Sequence, residues 1–409
     1  MNNQVPDGWQ FSTVGNCAQN VPKKYVVEEG KNPRYVGLEH IAPDTKRIRR
    51  WRYADDVVST KSEFKVGDTL FGKLRPYLKK VSIADFDGIC STDILVLRAK
   101  SEVDSGFLYR VLSSEKAISY SVESSAGNVM PRTSWKDIAV YQFMLPPLLE
   151  QKKIAAILTS VDDVIEKTQA QIDKLKDLKA GMMQELLTRG VGVDGKPHAE
   201  FKDSPVGRIP KGWEVEALKE FTSFISYGFT NPMPEAEAGP YMITAKDINN
   251  LKVQCSTARR TTKAAYDELL TRKSRPEVND ILLTKDGTLG RVALVTEPNC
   301  CINQSVAVIT PNERVIPKFL LYLLASPVYQ QEMLDKAGGS TIKHIYITVV
   351  DKMLIAVPSL KEQEKLTGIL DSVFLKLELS EQKLSKLKSV KKALMQDLLT
   401  GKVRVKVDS

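Results

Sequence analysis

Three histidines and five cysteines in 409 residues leave little material for a metal centre or a disulfide framework. His40, His198 and His344 stand far apart in the chain. Cys17, Cys90, Cys255, Cys300 and Cys301 are odd in number and form no C-x-x-C pair, and adjacent cysteines such as Cys300 and Cys301 rarely bridge one another. Buried thiols in a reducing compartment are the expectation. No apolar run approaches a membrane span, since the longest apolar-leaning stretch, 138–149, is broken by Gln142, Pro146 and Pro147. The N-terminus lacks a basic-then-apolar signal pattern, so a cytoplasmic location is expected. Also missing is a GxxxxGK[ST] phosphate loop. Leu145-Pro146-Pro147-Leu148 has the prolines of an Asn/Asp-Pro-Pro-aromatic methyltransferase motif but neither its polar residue nor its aromatic. Asp194 followed by Glu200-Phe201-Lys202 imitates a nuclease acid-x-Lys pattern, but it falls in a Gly- and Pro-bearing linker with no strand expected around it, and coincidence is the better reading.

What is present is repetition, which decides a fold before anything else does. Pro6-x-Gly8-Trp9 returns as Pro210-x-Gly212-Trp213. Val66-Gly67-Asp68-Thr69-Leu70 is matched by Val278-Asn279-Asp280-Ile281-Leu282, and Pro146 with Glu150-Gln151 by Pro358 with Glu362-Gln363. Met183-Gln184-Glu185-Leu186-Leu187-Thr188 is matched by Met395-Gln396-Asp397-Leu398-Leu399-Thr400. The last three share an offset of 212 residues, as from Thr188 to Thr400, and the first has 204, as from Trp9 to Trp213.

Each copy has two parts. The first reads as an α+β or mixed α/β globule, with β-like runs at 89–97, 278–284, 290–295 and 305–310 and helical patterns at 106–115 and 317–325. The second is a long helix. Ile154, Ile157, Val161, Val164, Ile165, Ile172, Leu175, Leu178, Met182 and Leu186 fall at three- and four-residue steps. So do Leu366, Ile369, Leu370, Val373, Leu377, Leu384, Leu387, Val390, Leu394 and Leu398, with charged residues between. Pro147 and Pro358 precede the helices, and Gly190 and Gly401 close them. Two such stripes in one chain are expected to pack on each other, antiparallel, before they bind anything else. The predicted fold is therefore α+β: two similar α/β globules separated by two long antiparallel coiled-coil helices, with an internal pseudo-two-fold repeat. The expected spans are 1–147 and 209–358 for the globules, 148–190 and 359–409 for the helices with the C-terminal tail, and 191–208 for a linker.

A helix of about 40 residues measures roughly 60 Å at ~1.5 Å per residue. Dimeric DNA readers space their half-sites by helical turns of about 34–36 Å. Two heads on such a rod would read two segments and skip the base pairs between. Gly72-Lys73-Leu74-Arg75-Pro76-Tyr77 differs from Lys285-Asp286-Gly287-Thr288-Leu289-Gly290-Arg291 at the similar place, which implies two different half-sites.

The net charge of +9 suits a polyanion, though a plain basic soluble protein carries the same sign. Lys46, Arg47, Arg49, Arg50 and Arg52 cluster beside Trp51 and Tyr53, either to grip phosphate and read guanine or as a solvated loop face. Lys73, Arg75, Lys79 and Lys80 with Tyr77 form a second basic stretch, and Arg132 and Trp135 follow the turn at Gly127. In the second copy Arg259, Arg260, Lys263, Lys285, Thr288, Arg291, Ser340, Lys343 and His344 are the comparable candidates, although an imidazole such as His344 is more often packed or merely exposed. Trp9 and Trp213 read as core anchors of the repeat. No residue is singled out as catalytic, cofactor-binding or metal-binding.

The order Pro-x-Gly-Trp, a variable globule, Pro-x(3)-Glu-Gln opening a heptad helix, and Met-Gln-x-Leu-Leu-Thr closing it, repeated once, resembles the specificity subunit of type I restriction-modification enzymes over essentially the whole chain. Gly338-Gly339-Ser340-Thr341 ahead of Val357-Pro358-Ser359-Leu360-Lys361-Glu362-Gln363 is similar to that family's second repeat, whereas Ser125-Ala126-Gly127-Asn128 departs slightly at the small-residue turn. The resemblance implies two target recognition domains, each reading half of a split double-stranded DNA site. The helices would set the gap and dock two modification (methyltransferase) subunits, with restriction (motor-nuclease) subunits added to that core. The chain itself would be non-catalytic and hold no cofactor. S-adenosylmethionine, ATP and Mg²⁺ would belong to the partners, and no membrane is involved. Two other classes fit the bare pattern: a coiled-coil scaffold that never meets DNA, and a DNA enzyme with an unrecognised active site.

Overall fold

Two prolines and two glycines bound the long helices. The first helix, Leu148–Arg189, starts after Pro146-Pro147 and stops at Gly190, whose φ of +62° is left-handed. The second, Leu360–Leu399, starts after Pro358 and gives way to Gly401 at φ +68°. Proline supplies a preset φ where no helical N–H is needed, and glycine takes the left-handed turn that ends the hydrogen-bond ladder. The computed structural model describes residues 5–21, 24–25, 32–43, 47–48, 50–54, 61–127, 129–339 and 343–407.

The chain divides into two compact units, Met1–Gln171 with Ser380–Ser409, and Ile172–Leu379. Each unit takes part of both long helices. The reason is visible in what the helices bury. In the first unit, Ile154 and Leu158 share one core with Trp9, Phe107, Tyr109 and Leu398. In the second, Met183, Leu187, Leu366 and Leu370 share a core with Trp213, Phe221 and Phe319. Both tryptophans are core anchors, and each ring N–H reaches a carboxylate at the start of a helix: Trp9 Nε1 to Glu150 and Trp213 Nε1 to Glu362, both 3.2 Å.

Within each unit the helix segments run antiparallel. In the first unit, Glu150 is held by Arg404 and, further along the helix, Asp162 by Lys391. In the second, Lys179 Nζ lies 4.0 Å from the Phe374 ring centre, and the following Met183 and Leu187 share their core with the preceding Leu370 and Leu366. The buried stripe is not quite the expected one. Val164, Leu178 and Val390 face outward. Beside Val164 the buried face instead carries Asp162, which is ion-paired, and Thr168, whose hydroxyl donates to the Val164 carbonyl.

Among the described residues, the first unit holds a four-stranded sheet in the order Ala18–Asn20, Ile94–Ala99, Thr69–Gly72, Val81–Ile83, and a five-stranded sheet from Lys24–Tyr25 to Arg52–Tyr53. The second holds a six-stranded sheet centred on Val306–Pro311 and Ile281–Thr284. The repeat extends to register. Ile94 pairs with Gly72 as Val306 pairs with Thr284, each 212 positions on. Gln10 pairs with Leu145 as Glu214 pairs with Val357. Val, Ile and Leu dominate Ile94–Ala99, Ile281–Thr284 and Val306–Pro311 because both faces of these central strands are buried.

The span expected to be a linker contains an antiparallel hairpin, Phe201–Ser204 with Gly207–Pro210. The acid-x-Lys look-alike therefore does sit on a strand, contrary to expectation. Its groups are engaged structurally: Glu200 pairs with Lys211 at 2.9 Å, and Lys202 donates to the Trp213 carbonyl at 2.6 Å.

Candidate nucleic-acid interface

One loop pair is built twice. In the first unit the strand Thr69–Gly72 runs into Lys73-Leu74, then into a turn over Pro76–Leu78. A second turn, 126–132, is pinned against it: Leu74 bridges Arg132, Arg132 bridges Ala126, and the Arg75 N–H donates to the Pro131 carbonyl at 2.8 Å. In the second unit Asp286 bridges His344 and His344 bridges Gly338, each 212 positions later. The Lys73 N–H donates to the Asp93 carbonyl and the Lys285 N–H to the Ser305 carbonyl, at 2.8 and 2.9 Å. One backbone frame thus carries different side chains.

In the first unit that frame gathers Lys73, Arg75, Tyr77, Lys79 and Arg132. Lys73, Arg75 and Lys79 make no ion pair with a described residue, while Arg132, half exposed, pairs with Asp93 at 2.8 Å. Arg75 and Lys79 bracket the turn in left-handed backbone, at φ +51° and +53°. Non-glycine residues held there cost of order 1–3 kcal/mol each and tend to mark binding sites. Tyr77 is exposed on top.

In the second unit the frame gathers Lys285, Asp286, Thr288, Lys343 and His344. Lys285 Nζ is 2.9 Å from Asp286, whose other oxygen meets His344 Nδ1 at 2.5 Å. Partial burial pushes the Asp286 carboxyl up, but the hydrogen bonds from His344 and Lys285 outweigh it and hold it below the ordinary carboxylate range. Lys285 also lies 5.6 Å from the ring centre of the exposed Tyr227. The structure adds Asp286 to the candidates: it stood in the quoted motif, but its role needs His344, which lies 58 residues away.

The remaining candidates belong to other parts of each unit. Arg50 is exposed, and Arg52 on the five-stranded sheet reaches Glu39 at 3.2 Å. Arg47 reaches Asp163 of the first helix at 3.4 Å. Trp51 is covered by Arg34, 4.7 Å above its ring, so this aromatic is already occupied by a cation. Arg259 pairs with Glu235, and Arg260 donates to the Tyr241 hydroxyl at 2.7 Å while lying over its ring. Lys263 pairs with Asp267. Arg291 donates to the Ile248 carbonyl at 3.3 Å. Lys46, Arg49 and Ser340 lie outside the described residues. No group of three or more His, Cys, Asp or Glu able to hold a metal occurs among the described residues, and none of their helices is long and apolar enough to cross a membrane.

The family model for the type I restriction modification DNA specificity domain matches residues 7–177 and again residues 210–389. The MjaVIII specificity subunit of Methanocaldococcus jannaschii is 28% identical over 329 residues, 78% of this chain and 75% of that protein. The putative MjaX specificity subunit of the same organism is 25% identical over 425 residues, 98% of this chain and 95% of that protein. The Escherichia coli EcoBI specificity subunit is 28% identical over 244 residues, 56% of this chain and 51% of that protein. Among solved structures, the type I system S subunit from M. genitalium superposes with a TM-score of 0.61 at 16% identity, covering 98% of this chain and 97% of that one. A chain from work on complex assembly and conformational transition of the type I R-M system gives 0.59 at 21% identity, covering 98% and 100%. These two share the fold. With its domain matched twice and its fold shared, this chain belongs to the type I restriction-modification DNA specificity family.

Proposed function

We propose that the chain reads a bipartite, asymmetric double-stranded DNA site and directs the methylation and restriction carried out by partner subunits. The observation that carries this reading is the loop pair: one frame, two copies, and different charged and aromatic side chains on each. A protein that reads two unlike half-sites needs that combination, whereas a symmetric site needs identical loops.

In this reading residues 1–147 and 209–358 are the target recognition domains. Residues 148–190 and 359–409 are the spacer helices with the tail, and 191–208 connect the copies. The free cations of the first loop pair contact phosphate and base edges, as do Lys285, Thr288, Lys343 and His344 in the second. Arg47, Arg50, Arg52, Arg259, Arg260 and Arg291 extend the basic surface. The chain performs no chemistry of its own. Methyltransferase and ATP-dependent endonuclease activities, with S-adenosylmethionine, ATP and Mg²⁺, reside in two modification subunits and in restriction subunits, and the complex acts in the cytoplasm. The outward Leu178 and Val390, at equivalent positions of the two helices, support two equivalent docking sites.

The test is selection from a random duplex library by the full chain together with modification subunits, followed by mapping of the methylated bases. Two different conserved half-sites are expected. Partner binding with no preferred DNA sequence would make the chain a scaffold instead, and methyl transfer by the chain alone would make it an enzyme.

A further inference from the structure

The turn 126–132 carries an exposure that its charged surroundings do not explain. Val129 is 86% exposed, the highest of any large apolar residue described, and Met130 is 52% exposed. Across the loop pair Tyr77 and Leu78 are 49% and 38% exposed. Single exposed apolar residues are ordinary, but four on two loops pinned to each other form a patch. The turn holds these side chains outward. Gly127 takes a φ of +98°, Ala126 and Arg132 close the turn with reciprocal backbone hydrogen bonds, and the Arg75 N–H fixes the Pro131 carbonyl.

The surroundings name the occupant. An apolar patch on a protein-binding face is normally bounded by mixed charge. This one has Lys73, Arg75, Lys79 and Arg132 beside it, of which Arg132 pairs with Asp93 and the other three make no ion pair with a described residue. Cations that straddle an apolar tip suit a polyanion whose interior edge offers an apolar group. In the major groove that group is the 5-methyl of thymine, and no other base edge there presents one.

Building on the DNA-reading function above, we infer that Val129 and Met130 recognise thymine through its 5-methyl group, so that the first unit reads part of its half-site by apolar contact. The flanking cations hold the phosphates on either side and set the depth of the tip.

The experiment replaces each thymine of the selected site by deoxyuridine, which removes the methyl group and keeps every hydrogen-bonding atom. Binding of the full chain with modification subunits is measured by competition. For the unaltered chain, replacement at one or two positions of a single half-site should weaken binding about fourfold per methyl, the magnitude expected for one buried methyl group. In Val129→Ser and Met130→Ser the penalty at those positions should vanish, with the other half-site unaffected and thermal unfolding unchanged, since both side chains are exposed. The inference is overturned if the half-sites contain no thymine, if deoxyuridine is tolerated throughout, or if both variants keep the full penalty. Increased 2-aminopurine fluorescence that depends on Val129 or Met130, with deoxyuridine tolerated, would make the tip a wedge between base steps instead. Failure to select any sequence would count against the DNA-reading function itself, whereas selection with tolerated deoxyuridine counts against the methyl contact alone.

Discussion

Lys391 Nζ lies 2.8 Å from one oxygen of Asp162, and Arg110 reaches the other oxygen of the same buried carboxylate. Arg110 is 1% exposed and also donates to the Thr159 hydroxyl. At the equivalent positions of the second unit, 212 residues away, the charges are replaced by rings. Tyr322 stacks on Phe374 with centroids 4.9 Å apart, and Lys179 sits over the Phe374 face. The lysine is common to both, beside a carboxylate in one unit and over a ring in the other.

Removing Asp162 leaves two cations without their counter-charge, so Asp162→Ala should cost about 3–5 kcal/mol. Copying the second unit's solution, Arg110→Tyr with Asp162→Phe, should recover stability to within about 1–2 kcal/mol of the original, because apolar groups of similar volume commonly replace buried ion pairs without loss. Urea unfolding followed by tryptophan fluorescence reads both. Equal loss in the single and double variants would refute the equivalence of the two arrangements.

Glycine has opposite roles at two places on the first helix. A Cβ on Gly190 would stand 2.6 Å from Trp213 Cζ2 and run into Glu362, on backbone that is already left-handed. Gly190→Ala should therefore cost more than ~2 kcal/mol, combining left-handed strain with overpacking. Gly181, nine residues earlier, meets nothing within 4 Å. Gly181→Ala should add about 0.5–1 kcal/mol through helix propensity alone. Calorimetric melting of the two variants should move in opposite directions.

Asp286 has its carboxyl held below the usual range in the folded state. Such a group contributes stability above its unfolded pKa and loses it as the pH falls through the folded value. The stability gap between the unaltered chain and Asp286→Asn should narrow as the pH falls below about 4. A gap that persists at the acid end would mean the asparagine is destabilising for steric reasons.

Cys90, Cys300 and Cys301 are buried, and burial pushes each thiol up to about 12. Cys255 is only half-buried, and its thiol is also raised. Thiolate is the reactive form, so alkylation at pH 8 should be slow everywhere, with Cys255 first and the buried Cys17, Cys90, Cys300 and Cys301 only on unfolding. Mass spectrometry of the native chain decides the order.

If Arg75 and Lys79 hold phosphate, each alanine variant should weaken binding to all sequences about equally and lower the slope of log K against log salt by about one. An altered sequence preference with an unchanged slope would assign these side chains to base edges.

The architecture was legible because the helix stripe and its caps are local signals. Pro358, Gly401 and the three- and four-residue spacing of leucines need no tertiary knowledge, and the observed helix ends fall within a few residues of them. The outward turn of Val164 and Leu178 was not legible, since apolar identity says nothing about which face a polar Asp162 will occupy once Arg110 and Lys391 meet it. At the loop pair, composition pointed to Arg75 and His344 by charge. It was silent on Val129 and Met130, which carry no charge and sit in no pattern, and on Asp286, whose partners lie far along the chain. Arg259 and Arg260 read as free cations because their partners, Glu235 and Tyr241, approach only when the strands pair.

The first unit is assembled from two segments that lie on either side of the second. Arg404 pairs with Glu150 and donates to the Asp7 carbonyl, and Leu398 completes the core around Trp9 and Ile154. The second unit uses one uninterrupted segment, Ile172–Leu379. During synthesis the order of completion is therefore reversed with respect to the order of emergence. Residues 1–171 are made before residues 380–409, and until the later segment joins them Asp162 is short of Lys391 and a slot stands open beside Trp9. A chain stalled between the two segments would present that open slot to the cell's proteases and chaperones.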